Sequence, residues 1–265
     1  MKLAVLGAPL RHTRSPDLHH AGLAALGLAA ESRAIPTTLD ELPGRLAALA
    51  AEGVRGVNLT HPLKAAVIPH LARVADGARR ARSVNTVGLE PEGWWGETTD
   101  GAGFLDLLRS LGRNAAGARV VLLGAGGAAR SLALALAESG AETIAVSARD
   151  PERSRREWSG VPGAVHVGWR SAAERGALAA ATLIVNATPL DHGAAPLDRL
   201  PGGALVVDLV YGTGPTPWVL EARAAGLEAW DGLGLLVFQA RRSLMLWTGV
   251  EVPVEPLARA VGWPR

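Results

Sequence analysis

The 265-residue sequence contains no cysteine, which excludes disulfides, thiolate metal sites and a cysteine nucleophile and fits a reducing, cytoplasmic setting. Lysine is nearly absent as well: of 27 basic side chains, only Lys2 and Lys64 are lysine. Arginine keeps its proton at working pH whereas lysine can release one. An internal lysine in an arginine-biased chain therefore marks a place where an exchangeable proton has a use, or else a residue that escaped the bias. Only context separates the two. The seven histidines form no ligand pair at helical spacing, His19 and His20 being adjacent, so no metal site is expected. The formal charge is only +2, which does not suggest a nucleic-acid partner. Long hydrophobic runs are missing too. The apolar stretch after Lys2 ends at Gly7 and Pro9, too short for a signal sequence or a membrane span, and reads as a first buried strand.

What is present is a long apolar-rich chain. At 48% hydrophobic residues and more than one typical domain in length, an α/β architecture in two domains is expected. Val120–Leu123 is apolar, Gly124-Ala125-Gly126-Gly127-Ala128-Ala129-Arg130 follows, and Ser131–Glu138 carries helical periodicity. A second apolar run, Thr143–Ser147, arrives at the spacing of a dinucleotide-binding βαβ unit, with Ala129 as the third small residue of the loop. Runs at Thr182–Val185 and Ala204–Leu209 extend the sheet. Ahead of this unit the patterns predict strands over Leu3–Gly7, Gly56–Thr60 and Val84–Leu89, and helices over Pro16–Leu26, Leu39–Ala51 and Pro62–Ala72. Leu233–Thr248 reads as a long helix, with a short one after Pro253, and Leu190–Gly203 as a loop.

The expected division is thus an N-terminal domain with a mixed sheet over residues 1–99, a Rossmann-type, doubly wound domain over 100–232, and C-terminal helices over 233–265 that return to the first. In the second domain the helix start at Gly126–Gly127 would offer free N–H groups to a pyrophosphate. At the end of the second strand, Arg149 and Arg153 suit a 2′-phosphate and favour NADP, with Asp150 as a counter-argument. An exposed basic helix start explains Arg155 and Arg156 better than it explains Arg149.

Six ordered segments then stand together: His12-Thr13-Arg14-Ser15-Pro16, Asn58-Leu59-Thr60-His61-Pro62-Leu63-Lys64, Ser83-Val84-Asn85-Thr86-Val87, Thr98-Thr99-Asp100-Gly101, Asp208-Leu209-Val210-Tyr211 and Gly234-Leu235-Leu236-Val237-Phe238-Gln239. In order and spacing the chain resembles the shikimate dehydrogenase family over essentially its whole length. The resemblance implies reversible reduction of 3-dehydroshikimate to shikimate with NADPH, on the way to chorismate and the aromatic amino acids. It implies Lys64 and Asp100 as the catalytic pair. It also implies Thr13, Ser15, Asn58, Thr60, Asn85, Tyr211 and Gln239 around the substrate, and Gly124, Gly126, Gly127, Ala128, Arg149, Arg153 and Gly234 against the cofactor.

The residue types suit that chemistry. A ketone that accepts hydride needs a proton at oxygen, which Lys64 can supply while its charge stabilises the alkoxide. Asp100 would orient the ammonium, although an N-cap for the following helix is an equally natural role. Where the family usually has serine, Thr13 keeps the hydroxyl and adds a methyl. The rival readings are a quinate or quinate/shikimate dehydrogenase or diverged paralogue, and a non-catalytic NADP-binding regulatory protein. In each case the partners are small molecules and the chain a monomer or homodimer.

Overall fold

The computed structural model describes residues 1–10, 13–190 and 192–265, so His12 of the first segment lies outside the described residues. The chain divides into two compact units, Met1–Gly103 with Leu236–Pro264, and Phe104–Leu235 with Arg265. The first unit holds β1 (Lys2–Gly7), α1 (Ser15–Ala25), β2 (Glu31–Pro36), α2 (Leu42–Ala51), β3 (Gly56–Leu59), α3 (Leu63–Ala66), β4 (Arg73–Val74), α4 (Asp76–Ala81), β5 (Thr86–Glu90) and β6 (Gly93–Glu97). Its sheet has the order β2-β1-β3-β5-β6-β4 and is mixed: β1 runs parallel to β2 and β3, while β5 runs antiparallel to β3 and β6. Leu42, Leu46 and Leu49 fall on one face of α2, the i, i+4, i+7 spacing of a buried stripe, and pack with Ala4, Leu6 and Val57 in the core.

The boundary between the units falls inside two helices, α5 (Asp100–Ser110) and α10 (Leu233–Thr248). The second unit holds β7 (Arg119–Leu123), α6 (Gly127–Glu138), β8 (Thr143–Ala148), α7 (Pro151–Glu157), β9 (Ala164–Gly168), α8 (Ala172–Ala180), β10 (Leu183–Asn186), β11 (Leu205–Asp208), α9 (Pro217–Ala224) and β12 (Glu228–Trp230); α11 (Val254–Val261) belongs to the first unit. Its strands are all parallel in the order β12-β11-β10-β7-β8-β9. Counted from β7, this is the doubly wound order of a Rossmann fold, with its switch point between β7 and β10. The fold class is the one expected.

Two expectations fail locally. The helix predicted over Pro62–Ala72 is α3 followed by a 3₁₀ turn at Ile68–His70, and the chain is extended by Leu71. Pro69 lacks an N–H and disfavours α geometry at the residue before it, so the helix stops short. The strand predicted from Val84 begins at Thr86, because Val84 N–H bonds to the Lys64 carbonyl and Asn85 N–H to that of Glu97. No helix or strand interrupts the described part of Leu190–Gly203, and among the described residues no helix is long and apolar enough to cross a membrane.

One buried histidine ties α1 to the sheet. Asn58 Nδ2 donates to the Asn85 carbonyl at 3.0 Å, which fixes the amide, so its Oδ1 must accept from His19 Nε2 at 2.9 Å. His19 Nδ1 then carries no proton and accepts from Ser32 Oγ at 2.8 Å, with the ring edge-on to Trp247. Burial outweighs the bond to Asn58 and lowers the pKa of His19 from 6.5 to about 4. Because the folded value is depressed, the histidine's contribution to stability is intact above about pH 6.5 and is lost as pH falls toward 4. Urea unfolding across that window should show a loss that reaches at most about 3 kcal/mol and is absent from His19→Gln. An identical pH dependence in the variant would contradict this.

Candidate active site

The mixed sheet collects polar groups at one edge. β1 and β3 end there, β6 leaves there, and β5 starts there, with Asn58 opposite Thr86 and Thr86 opposite Glu97. The segments that follow or precede those strand ends carry Thr13 and Ser15, Thr60 and Lys64, Asn85, and Asp100. Lys64 sits on the single turn α3, and its Nζ donates to Asp100 Oδ2 at 2.5 Å. The lysine side chain keeps 20% exposure while the aspartate keeps 6%. Asp100 opens α5, and its other oxygen, Oδ1, accepts from Asn85 Nδ2 at 2.9 Å. The same amide nitrogen faces Gln239 Oε1 at 3.1 Å and Thr99 Oγ1 at 2.9 Å, while Asn85 Oδ1 accepts from Thr99 N–H at 2.7 Å.

Behind these groups lies Ser243, which none of the six segments includes. Ser243, one turn after Gln239 on α10, accepts from Asn58 Nδ2 at 3.0 Å, pairs with Thr86 Oγ1 at 2.7 Å and donates to the Gln239 carbonyl at 3.0 Å. Ser243, Thr86 and Asn58 are buried. Asn58 uses both ends of its amide within the protein, toward His19 on one side and toward Asn85, Thr86 and Ser243 on the other. The helical i, i+4 step from Gln239 was the one available signal for Ser243; His19 stands four residues after Ser15 and offered a similar one.

The remaining candidates of this unit are less enclosed. Thr13 Oγ1 donates to Ser15 Oγ at 3.4 Å and accepts from Ser15 N–H at 3.3 Å. No side-chain bond engages the Thr60 hydroxyl among the described residues, and Glu97 Oε1 accepts from the N–H of Thr98. Burial raises the Glu97 carboxyl above its ordinary range, opposed by that bond.

In the parallel-sheet unit the strands all end at one edge, so Gly124, Arg149, Tyr211 and Gly234 share it. Gly124 has φ +104°, and a Cβ there would lie 3.0 Å from the Ala187 carbonyl oxygen, so only glycine fits. The helix that follows has Gly126 as N-cap with no side-chain cap, which leaves the N–H groups of its first turn available to an anion. Trp158 Nε1 donates to the Ala125 carbonyl at 3.2 Å and steadies the loop from behind. At the end of β8, Asp150 caps α7 by accepting from Arg153 N–H at 2.9 Å, and Arg153 Nε bonds Glu157 at 2.7 Å. Arg149 is exposed and its guanidinium meets no side-chain partner among the described residues. The donor set therefore fits a dinucleotide with a 2′-phosphate: Gly126, Gly127 and Ala128 for the pyrophosphate, Arg149 for the extra charge. The counter-argument from Asp150 weakens, because its carboxylate is engaged as a cap. Asp208, at the end of β11, is fully buried and accepts from Asn186, Thr216 and Val210 N–H.

A model of the shikimate dehydrogenase substrate binding domain matches residues 5–87. The shikimate dehydrogenase (NADP(+)) of Acidiphilium cryptum (strain JF-5) is 41% identical over 266 residues, covering 97% of this chain and 94% of its own. Among solved structures, shikimate 5-dehydrogenase from Thermus thermophilus in complex with NADP(H) and shikimate is 36% identical, with a TM-score of 0.88 over 99% of this chain and 98% of its own. Quinate dehydrogenase from Corynebacterium glutamicum in complex with NAD is 31% identical, with a TM-score of 0.87 over 98% of both chains.

The buried layer makes a stability prediction. Ser243→Ala removes one of the acceptors of Asn58 Nδ2 and the shortest bond of Thr86 Oγ1 within a buried network, and should cost about 1–3 kcal/mol in chemical unfolding. A variant as stable as the parent would mean that the Ser243 bonds contribute nothing net.

Proposed function

This chain belongs to the shikimate dehydrogenase family, and on that premise we propose that it catalyses the reversible NADPH-dependent reduction of 3-dehydroshikimate to shikimate. The observation that carries the reading is the Lys64–Asp100 pair, a proton-bearing cation held at 2.5 Å by a carboxylate that is itself anchored by Asn85. NADPH, when bound, supplies the hydride. Lys64 Nζ gives a proton to the substrate oxygen as the carbonyl carbon is reduced, and takes it back in the reverse direction. Asp100 occupies one of its three N–H positions and leaves the others for substrate. The ammonium also stabilises the developing alkoxide, more strongly at 20% exposure than it would in open water.

Thr13 and Ser15 bind the carboxylate of the substrate through their hydroxyls, and Thr60, Asn85, Tyr211 and Gln239 meet its ring hydroxyls. Asn58 belongs to the same set through the groups it holds: with its amide engaged on both sides, it fixes the Asn85 carbonyl and Ser243. Residues 1–103 together with 236–264 form the substrate-binding and catalytic domain, which the match at residues 5–87 supports. Residues 104–235 form the NADP domain and residues 236–264 complete the first, both boundaries lying a few residues inside α5 and α10 and not at residues 100 and 233 where the sequence put them. Gly124, Gly126, Gly127, Ala128 and Gly234 contact the cofactor, and Arg149 with Arg153 reads its 2′-phosphate. The absence of cysteine supports a cytoplasmic setting.

A second reading, oxidation of quinate with NAD, draws support from the likeness to the Corynebacterium glutamicum enzyme. Initial rates with shikimate and quinate, each against NADP and NAD, decide between the two. The highest kcat/KM is expected for shikimate with NADP, and a quinate–NAD value as high or higher would overturn the proposal. Arg149→Ala should raise KM for NADP by about 10- to 100-fold, the worth of a charge-assisted bond to a phosphate dianion, and leave KM for NAD nearly unchanged. Equal effects on both cofactors would remove Arg149 from 2′-phosphate recognition.

A further inference from the structure

In the parallel-sheet unit, two turns that carry candidate contacts are locked to each other by one arginine. Asp231, 3% exposed, lies between β12 and α10. Its Oδ1 accepts from Leu233 N–H at 3.1 Å and so caps the first turn of α10, next to Gly234. Its Oδ2 accepts from Arg265 Nε at 2.9 Å and Nη2 at 2.7 Å. The same guanidinium donates to three consecutive carbonyls of the turn after β11: Gly212 at 3.1 Å, Thr213 at 2.9 Å and Gly214 at 2.8 Å. The two turns also meet through backbone. Gly232 N–H donates to the Val210 carbonyl at 3.0 Å, and a Cβ at Gly232 would fall 2.2 Å from the Leu209 carbonyl oxygen. Arg265 is held in its turn, since its carbonyl accepts from Arg223 Nη2 at 2.8 Å.

Tyr211 therefore stands between two fixed points, Val210 tied to Gly232 and Gly212 tied to Arg265. Gly234 follows a residue whose N–H is bound to the carboxylate that Arg265 neutralises. A turn rich in glycine, Gly212-Thr213-Gly214, has little conformational preference of its own. The planar fork of arginine can bond a carboxylate through two nitrogens and still reach three carbonyls, whereas a lysine ammonium has three donors at one point.

We propose that Arg265 is a positioning residue, whose guanidinium sets the place of Tyr211 and Gly234 for substrate and cofactor. The inference rests on the shikimate dehydrogenase reading above for the roles of those two residues. Losing the clamp frees the turn and leaves Asp231 buried beside Asp208 without its cation, so the consequences should appear at these turns and not throughout the unit.

The test compares the full chain with Arg265→Ala and Arg265→Lys in steady-state kinetics and in amide hydrogen exchange without ligands. Arg265→Ala should raise KM for shikimate roughly 10- to 100-fold, the cost of a small misplacement of a binding group, while kcat falls less. Added methylguanidinium should restore part of the loss in Arg265→Ala and leave the parent unchanged, and Arg265→Lys should not recover parental KM. Exchange should accelerate at residues 209–216 and 232–236 and stay unchanged in β7 and β8. Parental KM and parental exchange in Arg265→Ala would overturn the proposal, as would a uniform rise in exchange with a loss of activity that methylguanidinium does not relieve. If Arg265→Ala fails to fold, the same two measurements on Arg265→Lys decide. A parent protein that does not oxidise shikimate would instead defeat the underlying reading, and the exchange arm would still judge the clamp.

Discussion

Everything in the first unit is arranged around a carboxylate that cannot stand alone. Asp100 is 6% exposed, and a desolvated carboxylate is costly unless a cation and further hydrogen bonds compensate it. Lys64 meets one oxygen and Asn85 the other. Asn85 does so with its side-chain Oδ1 held by Thr99 N–H, while the amide behind it, Asn58, is held by the Asn85 backbone carbonyl and by His19. Each polar group in the chain is oriented by the next, from the partly buried Lys64 to the buried face of α1. A network in which every member is satisfied specifies a single arrangement, and removal of one member leaves the others unpaired.

The sequence made the βαβ core of the second unit easy to see, because β7, the glycine loop, α6 and β8 follow one another and each carries its own local signal. Other elements were hidden for identifiable reasons. β2, Glu-Ser-Arg-Ala-Ile-Pro, is an edge strand with no fully buried position and shows no apolar run. β6, Gly-Trp-Trp-Gly-Glu, is bracketed by glycines that read as a turn. Pro69 ends a helix that periodicity alone extended too far. The pairing of Lys64 with Asp100 links residues 36 apart, and only the joint order of the motifs suggested it. Ser243 and His19 carried only the weak signal of helical spacing, because a buried serine or histidine on a helix looks like ordinary packing until its partners on other strands are known. Arg265 was silent because its five bonds fall on backbone carbonyls and one distant aspartate.

The two units solve different problems with the same device, a set of strand ends gathered at one edge of a sheet. The mixed sheet gathers side-chain hydroxyls, amides and one ion pair, a set suited to a polyol that bears a carboxylate and a reacting carbonyl. The parallel sheet gathers backbone N–H groups at the start of α6 and an exposed guanidinium, that of Arg149, a set suited to phosphate. Asp150 shows why residue identity is a poor guide by itself. At the end of the second strand a carboxylate suggests a ribose hydroxyl, yet here it accepts the Arg153 N–H and closes a helix.

In the mechanism proposed above, Lys64 contributes a proton and not charge alone. Lys64→Arg tests this most directly, since arginine keeps the cation beside Asp100 and withholds the transferable proton. The kcat for shikimate oxidation is expected to fall by about 10²- to 10⁴-fold, the usual worth of a general acid or base, with the thermal midpoint unchanged. A Lys64→Arg enzyme that keeps more than about a tenth of parental kcat would lie outside that range and would show that charge alone suffices.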